Sequence, residues 1–117
     1  YYMDQKCHIY YFDTKSMKKK LVCSIPNGDG NFAGVIGKNV YYYCYDKQAT
    51  YCYNLSSKKT TKLIDKNVTL LTTKGKYLVV DCTLSQKEFE KTGKTNEIAI
   101  MKKSGKGYKK LVRYFVS

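Results

Sequence analysis

One histidine, five cysteines and nine acidic side chains bound the chemistry this chain can perform. His8 is the single histidine, and it follows Cys7 directly on an expected strand. Consecutive side chains on a strand point to opposite faces, so this thiol and imidazole cannot meet as nucleophile and base. No Ser-His-Asp set can be assembled without His8, and no Gly-rich phosphate loop precedes a helix. Glu88 and Glu90 lie too close in sequence to flank a substrate as opposed acid and base. The expectation is a non-catalytic protein that needs no cofactor.

The cysteines, Cys7, Cys23, Cys44, Cys52 and Cys82, are odd in number and form no C-x-x-C pair. A tetrahedral metal site would need four scattered thiolates, so they read as small buried hydrophobes on strands. A hairpin turning through Asp46 to Thr50 sets Cys44 opposite Cys52, within reach of a disulfide; a four-residue turn puts the two on opposite faces. Asn27-Gly28-Asp29-Gly30-Asn31 offers side-chain oxygens but one carboxylate, too few for a dedicated Ca²⁺ site.

Charge is lopsided, with 22 basic residues against 9 acidic and a formal net charge of +13. That balance favours polyanionic partners such as nucleic acid or an acidic cell-wall polymer. All the cations but Arg113 are lysines, which lack the planar fork of bidentate phosphate and guanine contacts. Lys18, Lys19, Lys58, Lys59, Lys102 and Lys103 lie in or next to recurring turns. They would face an anionic polymer, and turn lysines also guard strand edges against aggregation. No stretch approaches the roughly 20 apolar residues of a membrane span. The abrupt Tyr1-Tyr2-Met3 start reads as the tail of a strand, as expected of a piece of a longer protein.

The elements that would position these side chains are strands. The chain holds 13 Tyr, 4 Phe, no Trp and one Pro, a bias that suits pleated, half-buried strands. A Lys-rich turn followed by an apolar pair recurs at Leu21, Leu63 and Leu111, with Leu63 lying 42 residues after Leu21 and Leu111 lying 48 after Leu63. Strand-only repeats of that length are the signature of propeller blades. The middle unit, residues 32–64, reads as a four-stranded meander with strands at Phe32 to Ile36, Val40 to Tyr45, Thr50 to Leu55 and Thr61 to Ile64. Residues 1–25 read as a half blade. Residues 68–116 read as a third blade, with strands at Val68 to Thr72, Tyr77 to Leu84, Glu97 to Lys102 and Lys109 to Val116, and an insertion over 85–96. In that insertion Ser85-Gln86-Lys87-Glu88 fits a capping box and predicts a short helix over residues 86–91. The expected fold is thus all-β, a partial propeller of about two and a half blades filling the whole of residues 1–117. A small sandwich or barrel is the alternative, since strand spacing alone does not separate them.

The strands Asn39-Val40-Tyr41-Tyr42-Tyr43-Cys44-Tyr45-Asp46, Tyr51-Cys52-Tyr53-Asn54-Leu55-Ser56-Ser57 and Lys58-Lys59-Thr60-Thr61-Lys62-Leu63-Ile64 resemble the blades of low-density-lipoprotein-receptor-related β-propellers of clostridial surface proteins and lipoproteins. The resemblance covers nearly all of residues 7 to 114. It implies extracytoplasmic ligand or protein binding, with no conserved catalytic set to carry over.

In a propeller the connections from the second to the third strand of a blade, and from one blade to the next, share the face that holds ligands. On that face the sequence points to Asn31, Tyr43, Tyr45 and Asp46, whose rings and polar groups would contact a protein or glycan. Glu88 and Phe89 of the insertion join them. Too few blades to close a ring leave exposed edges, so self-association to complete one is a further expectation.

Overall fold

The computed structural model describes residues 1–116; Ser117, the end of the expected unit, lies outside them. It is all-β, with three antiparallel meanders in chain order. The first sheet holds β1 (Tyr2–Met3), β2 (His8–Asp13) and β3 (Lys18–Ser24). The second holds β4 (Gly30–Ile36), β5 (Asn39–Cys44), β6 (Ala49–Asn54) and β7 (Thr60–Ile64). The third holds β8 (Asn67–Lys74), β9 (Tyr77–Thr83), β10 (Asn96–Lys102) and β11 (Lys109–Tyr114). Among the described residues no sheet closes into a barrel, and no helix is long and apolar enough to cross a membrane.

The strand tail read at Tyr1-Tyr2-Met3 is β1, in which Tyr2 and Met3 pair with Tyr10 and Ile9, so the first sheet carries three strands. The last strand ends at Tyr114 rather than Val116, and β10 starts at Asn96, inside the range assigned to the insertion.

Each sheet carries a bulge where its last two strands meet, between Ile9 and Tyr10, between Thr50 and Tyr51, and between Ile98 and Ala99. The extra residue on the outer strand is Val22, Leu63 and Leu111 in turn. The structural equivalent of Leu63 is therefore Val22, and Leu21 sits one place earlier than the sequence repeat implies. A bulge absorbs one residue while re-aiming the strand, which a spacing count cannot register.

The sheets pack in series. Ile9 and Cys7 of the first meet Val40, Tyr42 and Cys44 of the second in one buried cluster. Ala33, Tyr41 and Leu63 of the second meet Val68, Leu78, Val80, Ala99 and Met101 of the third in the other. The second sheet is thus covered on both faces, which explains why the run from Val40 to Cys44 is buried without alternation. Gly34, at φ +129, lets β4 approach β8: a Cβ there would come within 3.2 Å of that of Leu70. Thr50, fully buried, fixes the crossing from β7 to β8. Its hydroxyl donates to the Lys66 carbonyl at 2.7 Å and accepts from the Val68 amide at 3.3 Å.

Candidate functional site

A cleft of about 490 Å³ opens where the second and third sheets part. Tyr43 and Gln48 form one wall; Cys82, Glu97 and Arg113 form the other; Asp65, Lys66 and Asn67 cross between the sheets at its edge. Ser85 and Glu88 close the third side. Gln48 comes from the β5–β6 turn, Asp65 and Lys66 from the β7–β8 crossing, and Ser85 and Glu88 from the segment after β9, whereas Tyr43, Asn67, Cys82, Glu97 and Arg113 stand on strands.

The third side is held by α1 (Gln86–Thr92). The Ser85 hydroxyl caps it by accepting from the Glu88 amide at 3.2 Å, and Gly93 ends it at φ +72. The capping box is only half realised. The Glu88 carboxylate turns to Arg113, with Oε2 3.4 Å from Nη2, because a guanidinium offers it a charged donor in place of an exposed amide.

The floor is a polar network. Glu97 is 3% exposed; Arg113 Nε donates to its Oε1 at 2.8 Å, and the Tyr108 hydroxyl donates to its Oε2. Burial opposes charge on Glu97, but these two hydrogen bonds and the nearby cations outweigh it and hold the carboxyl below its ordinary range. Burial, then the bond to Glu97, drives the Tyr108 phenol far upward. Lys66 Nζ lies 4.8 Å from the centre of the Tyr108 ring, a cation–π contact. Burial also raises the Cys82 thiol, so it stays a neutral, inert wall.

The sequence-derived residues divide. Tyr43 and Glu88 line the cleft. Tyr45 packs edge-on against Tyr43 with ring centres 5.2 Å apart, and its hydroxyl accepts from Asn31 at 2.8 Å. Asp46 accepts from the Asn27 amide. Asn31, Tyr45 and Asp46 thus brace the Asn27–Asn31 loop against the β5–β6 turn and support Tyr43 from behind. Phe89 turns away and stacks on Phe115, 6.2 Å between centres. Lys18, Lys19, Lys58, Lys59, Lys102 and Lys103 are exposed and stand apart from the cleft.

Other expectations resolve through register. The β5–β6 turn spans four residues, since Cys44 pairs with Ala49. Cys44 therefore faces the first sheet while Cys52, opposite Tyr41, faces the third, and the disulfide alternative is excluded. Cys7 precedes β2 at φ +61 and donates to the Gly30 carbonyl at 3.6 Å, whereas His8 Nδ1 pairs with Asp4 Oδ2 at 3.2 Å. Sequence reasoning missed Asp65, Lys66, Glu97, Tyr108 and Arg113. One signal was present: Glu97 and Arg113 interrupt strands whose neighbours at the same face are apolar.

Compared with protein-family models, curated proteins and solved structures, the chain matches none.

Proposed function

We propose that this chain is a run of propeller blades whose cleft between the second and third sheets binds a glycan without catalysis. The radial reading is supported by the repeated meander, by bulges at equivalent places in all three sheets, and by the contact of the first strands β4 and β8. The observation that carries the binding reading is the cleft lining. The lining joins an edge of the Tyr43 ring to the amides and carboxylates of Gln48, Asn67, Asp65 and Glu88, apolar and hydrogen-bonding groups of the kind that together hold a hydroxyl-rich ligand. Arg113 and Glu97 satisfy each other beneath it, so they set its shape rather than wait for a counter-ion. The resemblance to clostridial surface-protein blades extends the proposal to an extracytoplasmic setting.

The test is a printed array of bacterial and animal oligosaccharides, followed by titration of any hit against the wild type, Gln48→Ala and Glu88→Gln. Binding that weakens at least tenfold in both variants is expected, the loss of about one well-placed hydrogen bond each. An array without hits, or a hit indifferent to both changes, overturns the reading.

A second reading rests on the exposed lysines of the turns at the opposite ends of the sheets, which carry no ion pair among the described residues. A polyanion held there would lose affinity steeply as salt rises.

A further inference from the structure

The second sheet shows what each face of such a sheet is built to meet. Its leading face, turned to the first sheet, presents Tyr42, Tyr51 and Tyr53; its trailing face, turned to the third, presents Ala33, Tyr41, Cys52 and Ile64. The ladders place every residue of the outer sheets on this frame. Tyr2 pairs with Tyr10 as Tyr42 pairs with Tyr51, and both pairs stack, at 5.3 Å and 23° against 5.9 Å and 22°. Phe12 falls at the place of Tyr53. Tyr42 is 4% exposed beneath the first sheet, whereas Tyr2, on a leading face that no described residue covers, is 39% exposed.

The third sheet mirrors this at the other end. Its pairings set Leu71, Val79, Ile100 and Val112 at the places of Ala33, Tyr41, Cys52 and Ile64. Ala33 is 2% exposed, and Leu71 is 53%. Among the described residues, nothing covers the apolar trailing face or the aromatic leading face, and they are the two halves of an interface the chain already makes twice.

We propose that copies of this chain associate head to tail, the trailing face of the third sheet of one copy covering the leading face of the first sheet of the next. The contact is heterologous, joining different patches on the two partners, so it propagates until the rotation closes a ring. It rests on the sheet packing and is independent of the glycan cleft. Lys19 Nζ lies 4.9 Å from the centre of the Tyr10 ring on the leading face, and each copy carries +13. Association between such cations strengthens as salt screens them.

Sedimentation of the wild type from micromolar to roughly millimolar concentration should show species above 13.5 kDa, growing with added salt. A trailing-face variant, Leu71→Lys with Val112→Lys, and a leading-face variant, Tyr2→Lys with Phe12→Lys, should each be monomeric. Mixed in equal amounts they should form a dimer and stop there, because each retains one intact face. Should lysine unfold either sheet by circular dichroism, threonine at the same positions takes its place. A wild type that stays monomeric throughout overturns the proposal, as does a mixture that stays monomeric or a single variant that still dimerises; in those cases another molecule covers the faces.

Discussion

Glu97 and Ala49 occupy the same place in successive sheets, Glu97 across from Cys82 and Ala49 across from Cys44. Both are buried. A methyl group lets the first and second sheets close over it, whereas a carboxylate recruits Arg113 and Tyr108, and the second and third sheets part into a polar cleft. At this one place in the repeat, the first boundary buries a methyl group and the second lines a polar cleft.

Removing that carboxylate should be expensive. Glu97→Ala leaves the Tyr108 hydroxyl and the Arg113 guanidinium without their acceptor, and the expected loss is about 2–3 kcal/mol, with Glu97→Gln nearer 1 kcal/mol. Urea denaturation at neutral pH measures both. Because the folded state lowers the Glu97 carboxyl, its contribution is complete above the ordinary glutamate range. It fades as pH falls through the lowered folded value, so the gap between wild type and Glu97→Gln should narrow in acid.

Alkali should act through the tyrosines. Burial pushes Tyr41 and Tyr42 to about 12, and the hydrogen bond to Asp81 does the same for Tyr114. A raised phenol stabilises the fold fully below its unfolded value of about 10 and loses that contribution as pH climbs through the folded value. Melting temperature should therefore drop between these two points. The ultraviolet absorbance of tyrosinate should show several phenols ionising only with unfolding; if every tyrosine titrates near 10 in the folded protein, the packing described for β5 is wrong.

The five thiols should be slow to react. Burial raises Cys23 to about 11 and raises Cys52 and Cys82 as well, while Cys7 and Cys44 are inaccessible. Iodoacetamide at neutral pH is expected to leave all five unmodified in the native protein and to label all five in urea, read by mass spectrometry. Prompt native labelling of Cys44 would contradict its place between the first two sheets.

Much of this architecture was legible in the sequence, and what escaped has a physical cause. The meander over residues 32–64 and the helix after Ser85 follow from strand alternation and a cap, both local signals. The bulge at Val22 escaped because a one-residue insertion shifts pairing without altering composition. The cleft floor escaped because Glu97, Tyr108 and Arg113 lie on different strands or turns, and only the fold of the third sheet joins them. Asn31, Tyr45 and Asp46 were legible as polar and aromatic turn residues, but whether such groups face a ligand or each other depends on the Asn27 loop folding back on them.

Close approach of the turn before β11 to the second sheet is testable at one atom. A Cβ on Gly105, which holds φ +87, would lie 1.9 Å from the Leu63 carbonyl oxygen. Gly105→Ala is expected to cost about 3 kcal/mol or more, combining a backbone clash with left-handed strain. Gly75→Ala meets nothing within 4 Å at φ +60 and should cost only about 1 kcal/mol of strain. Equal melting temperatures for the two variants would place the turn elsewhere.

Amide chemical-shift mapping of the full chain with the tightest-binding array oligosaccharide, at low and at physiological salt, addresses the binding site itself. The account predicts shifts at Tyr43, Gln48, Asn67, Ser85 and Glu88 that persist unchanged in salt. Shifts confined to Lys18, Lys19, Lys58, Lys59, Lys102 and Lys103 that vanish with salt would contradict it.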